Sequence, residues 1–232
     1  PLLLLMMVIG LLLLQPDVGM SIVVTLVWLG QLFLAGLPIW LVIVLALGGL
    51  GLMVGVYFTL PHFASRIDRF LNPASGDTYQ IDRATEAFAN GGLFGTGPGQ
   101  GVVKESLPDA HSDFIFAVAG EELGLIWCLV LVSIVTFIVL RGLYRSSQGE
   151  TLFVTLASSG LLLQFGLQSL INMASALHII PTKGMTLPFI SYGGSSMISL
   201  AYGVGMLLAL TRQRPRVEME SMGAARAAHS FA

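Results

Sequence analysis

The sequence predicts an all-α, polytopic membrane protein, and three observations carry that prediction. Hydrophobic residues make up 55% of the 232 positions and charged residues only 10%, with a mean hydropathy of +0.84; a soluble domain carries about 25% charge. Apolar runs near twenty residues recur, the length that crosses a hydrocarbon layer of about 30 Å. Gly- and Pro-rich polar segments separate those runs. The net charge of −2 and the lack of a basic patch give no sign of a nucleic-acid partner. The single cysteine, Cys128, lies in an apolar run, so no intrachain disulfide can form.

In chain order, Leu2–Leu14 is apolar but too short to span, and it lacks the basic start and small-residue cleavage site of a signal peptide. It reads as the end of a helix whose beginning is missing, and the chain as a fragment. Gln15-Pro16-Asp17-Val18-Gly19 breaks it. Ser21–Leu37 is the next span, followed by a turn at Gly36-Leu37-Pro38. Ile39–Leu60 spans again, with Gly48, Gly49, Gly51 and Gly55 offering close helix contacts, and Pro61 ends it.

Residues 61–112 form the only long polar stretch, and they include Arg66, Asp68, Arg69, Lys104 and Glu105. Loops of this length are functional or disordered. This one carries internal order. Asp77-Thr78-Tyr79-Gln80 resembles a capping box, Ile81, Ala84 and Phe88 recur at helical spacing, and Gly91-Gly92 stops the pattern. The spacing predicts a short amphipathic helix lying on the membrane surface. Gly91–Gly101 follows, GGLFGTGPGQG. No Gly-Lys-Ser/Thr follows it and no strand precedes it, so a tight re-entrant turn is expected rather than a nucleotide loop.

Asp113–Leu140 is the central span, entered through the polar turn Pro108, Asp109, His111, Ser112, Asp113. Gly120 and Gly124 form a small-xxx-small pair within it. Acids inside an apolar span are costly and mark function by default, which singles out Asp113, Glu121 and Glu122. Asp113 reads equally well as a helix N-cap. Leu152–Leu177 spans again; Gln164, Gln168 and Asn172 fall on one face, a pattern that favours interhelical hydrogen bonds over substrate contact. A short loop with Lys183 leads to the last span, Ser191–Leu210, whose start, Ser191-Tyr192-Gly193-Gly194-Ser195-Ser196, is too polar for a lipid-facing helix. Residues 1–211 thus make one membrane domain, and 212–232, with Arg212, Arg214 and Arg216, read as a disordered tail.

Arg141, Arg145 and the tail arginines belong on the cytoplasmic side. The long loop, the Lys183 loop and the Gln15–Gly19 break then all face outward. Three unusual polar segments on one face predict an outward-facing site at the membrane surface.

These segments resemble the SEDS family of bacterial cell-wall polymerases, the FtsW, RodA and SpoVE group. The resemblance rests on Gln15-Pro16-Asp17-x-Gly19, Asn72-Pro73, the glycine pattern of 91–101, Leu107–Ala117, Glu121-Glu122-Leu123-Gly124, Pro181-Thr182-Lys183-Gly184 and Pro188–Ser196. Pro181–Gly184 and the short link between Gly101 and Leu107 resemble the FtsW branch rather than RodA. The resemblance implies a ten-helix fold, of which five to six helices lie here. It implies a glycosyltransferase that polymerises lipid II in the cytoplasmic membrane at the division septum. Implied partners are a class B penicillin-binding transpeptidase and other division proteins. The family's essential acid falls on Asp113.

Such chemistry needs a base for the attacking sugar hydroxyl and a cation for the departing pyrophosphate. Asp113 is the candidate base. Lys183 is the first candidate cation, or else a lysine snorkelling to water; Arg66, Arg69 and Lys104 follow it. Asp17, His111, Glu121, Ser191 and Ser195 complete the candidate substrate contacts, with structural roles open for each. A divalent cation bridging carboxylate and pyrophosphate is compatible with the reaction, although no ligand cluster specifies one. A lipid II flippase and a non-catalytic division scaffold are the competing readings.

Overall fold

The computed structural model describes residues 2–15, 17–59, 64–65, 67–68, 79–149, 151–181 and 184–212. Its regular elements are helices: α1 (Leu2–Leu14), α2 (Val18–Leu34), α3 (Ile39–Thr59), α4 (Tyr79–Gly91), a 3-10 turn (Val103–Ser106), α5 (Ile115–Ser146), α6 (Leu152–Ala176) and α7 (Gly194–Thr211). Among the described residues α3, α5, α6 and α7 are long and apolar enough to cross a membrane, and α1 and α2 are shorter apolar helices. The predicted all-α membrane architecture is therefore the one observed. The 77–78 half of the capping box and the tail beyond Arg212 lie outside the described residues.

Polar side chains set the helix starts. Asp17 Oδ1 accepts from the Met20 amide at 3.0 Å, so α2 begins three residues before the expected Ser21. Thr151 Oγ1 caps α6 through the Val154 amide. The last span begins later than expected, at Gly194, because 187–193 form turns instead. Arg141 and Arg145 ride on the end of α5 rather than in a loop.

Close approach and hydrogen bonding hold the helices together, as expected where lipid removes the hydrophobic drive. Gln31 Nε2 of α2 donates to Leu156 O of α6 at 3.1 Å, and a Cβ on Gly160 would sit 2.1 Å from that nitrogen. The hydroxyls of Ser146 and Ser158 bond across α5 and α6. The buried core lies toward the other end, where Ala84, Ala87, Leu107, Phe114, Phe116, Ala117, Met173, Ala176 and Leu187 meet. The hydrophobic packing is thus concentrated beneath the turns that precede α5 and α7.

The central span is not continuous. Gly124, at φ 83° and ψ 177°, splits α5 into 115–123 and 125–146. That backbone region is essentially open to glycine alone. A break strands helical amides and carbonyls, and the Gly91–Gly101 stretch meets them. Leu125 N donates to Gly92 O at 3.0 Å and Ile126 N to Leu93 O at 3.3 Å. In the other direction Thr96 N donates to Glu121 O at 2.9 Å and Gly97 N to Glu122 O at 3.0 Å. The expected re-entrant turn is instead a splint across a broken helix. Its glycines are required by contact, since a Cβ on Gly95 would lie 2.2 Å from Glu122 O. Gly124 is accordingly a break rather than half of a helix-packing pair, whereas Gly120 does accept a neighbour, Phe88 of α4.

The amphipathic helix α4 forms as the periodicity predicts. Its small residues Ala84, Ala87 and Gly91 are buried, and Phe88 meets Phe116 edge-on at 5.8 Å. The apolar face is therefore spent on the 115–123 half of α5 rather than on the bilayer surface.

Candidate active site

The site begins with a tight turn. Asp109, at φ 54°, accepts through its carbonyl from the amides of Ser112 (3.1 Å), Asp113 (3.0 Å) and Phe114 (3.3 Å). The helix proper starts at Ile115 with Phe114 as its cap residue, so Asp113 lies one position outside the N-cap. The capping alternative for Asp113 does not match this register.

Three ties bind that turn to the stretch before α7. Asn172 of α6 donates through Nδ2 to Asp113 O at 3.0 Å and to Met185 O at 2.5 Å. Ser191 Oγ donates to Ser112 O at 2.5 Å and accepts from Leu187 N at 2.7 Å. Tyr192 N donates to His111 O at 2.9 Å, and the two rings stack edge-on at 5.6 Å. Together they turn the half-buried Asp113 carboxylate onto the Gly184 backbone. Oδ2 lies 3.0 Å from where a Cβ on Gly184 would be. The absence of a side chain at 184 is what lets the carboxylate lie there.

Of the candidate residues, the fold gathers Asp113, His111 and Ser191. His111 is exposed beside Tyr192. Ser191 is 3% exposed with its hydroxyl engaged on both sides, so it is a latch rather than the expected substrate contact. Ser195 is exposed in the first turn of α7. Lys183, Arg66 and Arg69 lie outside the described residues. Asp17 serves as the α2 cap. From Gln31 back to Asp17 is about 21 Å of helix, and from Leu156 on to Asn172 about 24 Å, so the antiparallel pair sets Asp17 at the level of the site.

Glu121 is corrected. Glu121 is fully buried, at 0% exposure. Its Oε1 accepts from Asn90 Nδ2 (2.9 Å), Val102 N (2.8 Å) and Val103 N (2.8 Å), and its Oε2 from Lys104 N (2.9 Å). Three successive amides make an anion-holding concavity, and the anion they hold is this carboxylate. Glu121 therefore orders the loop and does not meet a substrate. Lys104 is paired with Glu122, whose hydrogen bond holds the ammonium above the ordinary lysine range. Its charge is engaged in that pair rather than standing alone. Both acids also precede the break at Gly124, so they are covered by α4 and the glycine loop rather than standing in lipid. Among the described residues no three of His, Cys, Asp and Glu gather to hold a metal ion.

A sequence profile of the FtsW, RodA and SpoVE group, described as cell cycle proteins, matches residues 1–216. The chain belongs to this family. A relative from Caulobacter vibrioides, "Probable peptidoglycan glycosyltransferase FtsW", is 48% identical over 210 residues, covering 89% of this chain and 53% of that protein. A protein of the same name from Coxiella burnetii is 40% identical over 217 residues, covering 90% and 58%. The fold matches the crystal structure of an Asp-to-Ala variant of the rod shape determining protein RodA from Thermus thermophilus. The TM-score is 0.64 at 29% identity, over 93% of this chain and 57% of that one. The chain thus spans about half the length of the relatives it matches.

In this SEDS family member, the fold joins several of the segments that carry the resemblance. The glycine stretch splints α5, Glu121 clamps the loop, and the Leu107–Asp113 turn is tied to 184–192. Sequence reasoning missed Asn172 as part of the site. Its place in the Gln164, Gln168, Asn172 row pointed to hydrogen bonding, but toward helices rather than toward these turns.

Proposed function

We propose that this chain carries the outward-facing site of a peptidoglycan glycosyltransferase that polymerises lipid II, with Asp113 as the general base. The observation that carries the reading is the Asp113 carboxylate, fixed from behind through its own carbonyl and laid against Gly184 at the head of a membrane helix. The names of the FtsW relatives support the reaction class.

In this reading the incoming sugar hydroxyl gives its proton to the Asp113 carboxylate as its oxygen bonds the anomeric carbon. The bond from that carbon to the polyprenyl pyrophosphate breaks, and the pyrophosphate leaves with the electron pair. Lys183 immediately precedes Gly184 in the sequence, and in this reading its ammonium offsets the leaving charge. His111, exposed beside Tyr192, meets the headgroup. If a divalent cation takes part, Asp113 would be the residue to hold it, and the ion would neutralise charge on the pyrophosphate. The site works at the outer face of the bacterial cytoplasmic membrane. The FtsW names favour the division septum, beside a class B penicillin-binding transpeptidase and other division proteins.

The test is purified whole protein supplied with lipid II in vesicles, read for both glycan product and translocation. Glycan from the wild type, with none from Asp113→Asn, is the expected outcome. Translocation without glycan would replace the polymerase with a flippase, and neither would leave a scaffold.

A further inference from the structure

We propose that Asn172 is a positioning residue for the reaction: one carboxamide that ties Asp113 to the 184–187 segment and so sets where the base stands. The inference rests on the reading of Asp113 as that base.

Asn172 has no exposed surface, in the last turns of an apolar helix. A buried amide is costly unless its hydrogen bonds are made. Both hydrogens of its Nδ2 are used, one on Asp113 O and one on Met185 O. The two acceptors come from separate segments, and both are carbonyls. Turning the amide over would set Oδ1 against two carbonyl oxygens at 3.0 and 2.5 Å, which is repulsive, so the orientation is fixed. Oδ1 is enclosed and has no hydrogen-bond partner among the described residues. The residue therefore carries an unmet acceptor in order to present two donors, an arrangement that helix packing alone does not require.

The geometry explains what the donors do. Two carbonyl oxygens facing one buried point repel, and a single NH2 group between them turns that repulsion into a bridge. Ser191 makes a parallel bridge one residue earlier on one side and two residues later on the other, from Ser112 O to Leu187 N. Asn172 is the bridge that touches the backbone of the base itself. With both in place, Asp113 Oδ2 rests 3.0 Å from the Cβ position of Gly184. An apolar side chain at 172 would take the shared donor away from both carbonyls and let the two segments part. The substrate's binding groups would remain while the proton acceptor moved, and a misplacement of about 1 Å costs a catalytic group on the order of 10²-fold.

The test uses whole protein in vesicles with lipid II, matched for folded amount. Asn172→Asp keeps the shape but puts an oxygen where the NH2 stood. Turnover should fall about 10²-fold with KM changed less than about threefold. In an Asp113→Asn background the same change should have no further effect, because the residue acts through Asp113. Equal losses in the two backgrounds, or a loss carried by KM, would overturn the proposal. Gly184→Ala, which presses on the carboxylate from the opposite side while every tie remains, should lower turnover in the same manner. If Asn172→Asp fails to accumulate, Asn172→Ser keeps one donor and should show the smaller loss of the same kind. Hydrogen exchange separates this proposal from the one beneath it. Asn172→Asp should speed exchange at 112–114 and 184–187 together, whatever Asp113→Asn does to synthesis. Unchanged exchange there would remove the tie, while wild-type synthesis by Asp113→Asn would remove the base and leave the tie standing.

Discussion

Asp113 and Glu121 are eight positions apart on one turn and helix, and the fold treats them in opposite ways. Glu121 is sealed from solvent and receives four donors, three of them consecutive amides. Asp113 is half-buried, its backbone carbonyl bonded by Asn172 and its carboxylate laid against Gly184. A carboxylate saturated with donors is poorly basic and cannot be reached. A half-buried carboxylate at the start of the helix stays nearer the surface. The difference teaches that burial of an acid in a membrane protein is no measure of its chemistry. What counts is the set of groups the fold places around each acid.

The largest effect expected from breaking this arrangement belongs to Gly124→Ala. A Cβ there would stand 2.4 Å from Gly95 N and 2.5 Å from Leu93 O, at a positive φ. The splint and the break cannot both survive, so folded protein should fail to accumulate in membranes, as read by detergent-extracted monodisperse yield. Normal yield would mean that the helix runs straight and that both acids lie in one continuous span.

Glu121→Gln comes next. The amide group keeps the shape but sets one NH2 against the amides of the loop, at a cost on the order of 3 kcal/mol. Thermal unfolding and protease cutting within 92–106 should report it, while synthesis per folded molecule stays within about threefold. A large loss of synthesis at unchanged stability would move Glu121 from the clamp into the chemistry.

Lys104→Met should have the smallest effect. The pair with Glu122 is one-quarter exposed on the lysine side, and ion pairs of that kind contribute little. The stability loss should be roughly a quarter of that for Glu121→Gln. Because Glu122 raises the Lys104 pKa, the contribution of the pair persists below the ordinary lysine value and fades only as pH rises through the raised one. Melting compared between pH 7 and 9 should therefore show no weakening from this pair.

The fold's outline was legible where side chains carried the signal. Apolar runs gave the helices, and Ile81, Ala84 and Phe88 gave α4. The break at Gly124 was hidden because a glycine in a packing pair and a glycine at positive φ are the same letter. What separates them is a loop some thirty residues earlier whose backbone supplies the missing bonds. Asp113 was legible as an acid where a polar turn gives way to an apolar helix. The roles of Glu121, Ser191 and Asn172 were not, because their partners are almost all main-chain amides and carbonyls, which leave no mark in a sequence. The polar row of α6 showed that hydrogen bonds were wanted without showing to what.

The most direct test of the contrast between the two acids is one paired measurement on whole protein. Asp113→Asn and Glu121→Gln are compared for lipid II polymerisation per folded molecule and for melting temperature. Asp113→Asn should melt near the wild type and lose synthesis by ~10²–10⁴-fold, the range for removal of a general base, while Glu121→Gln melts early and still polymerises. Wild-type synthesis by Asp113→Asn would contradict the account.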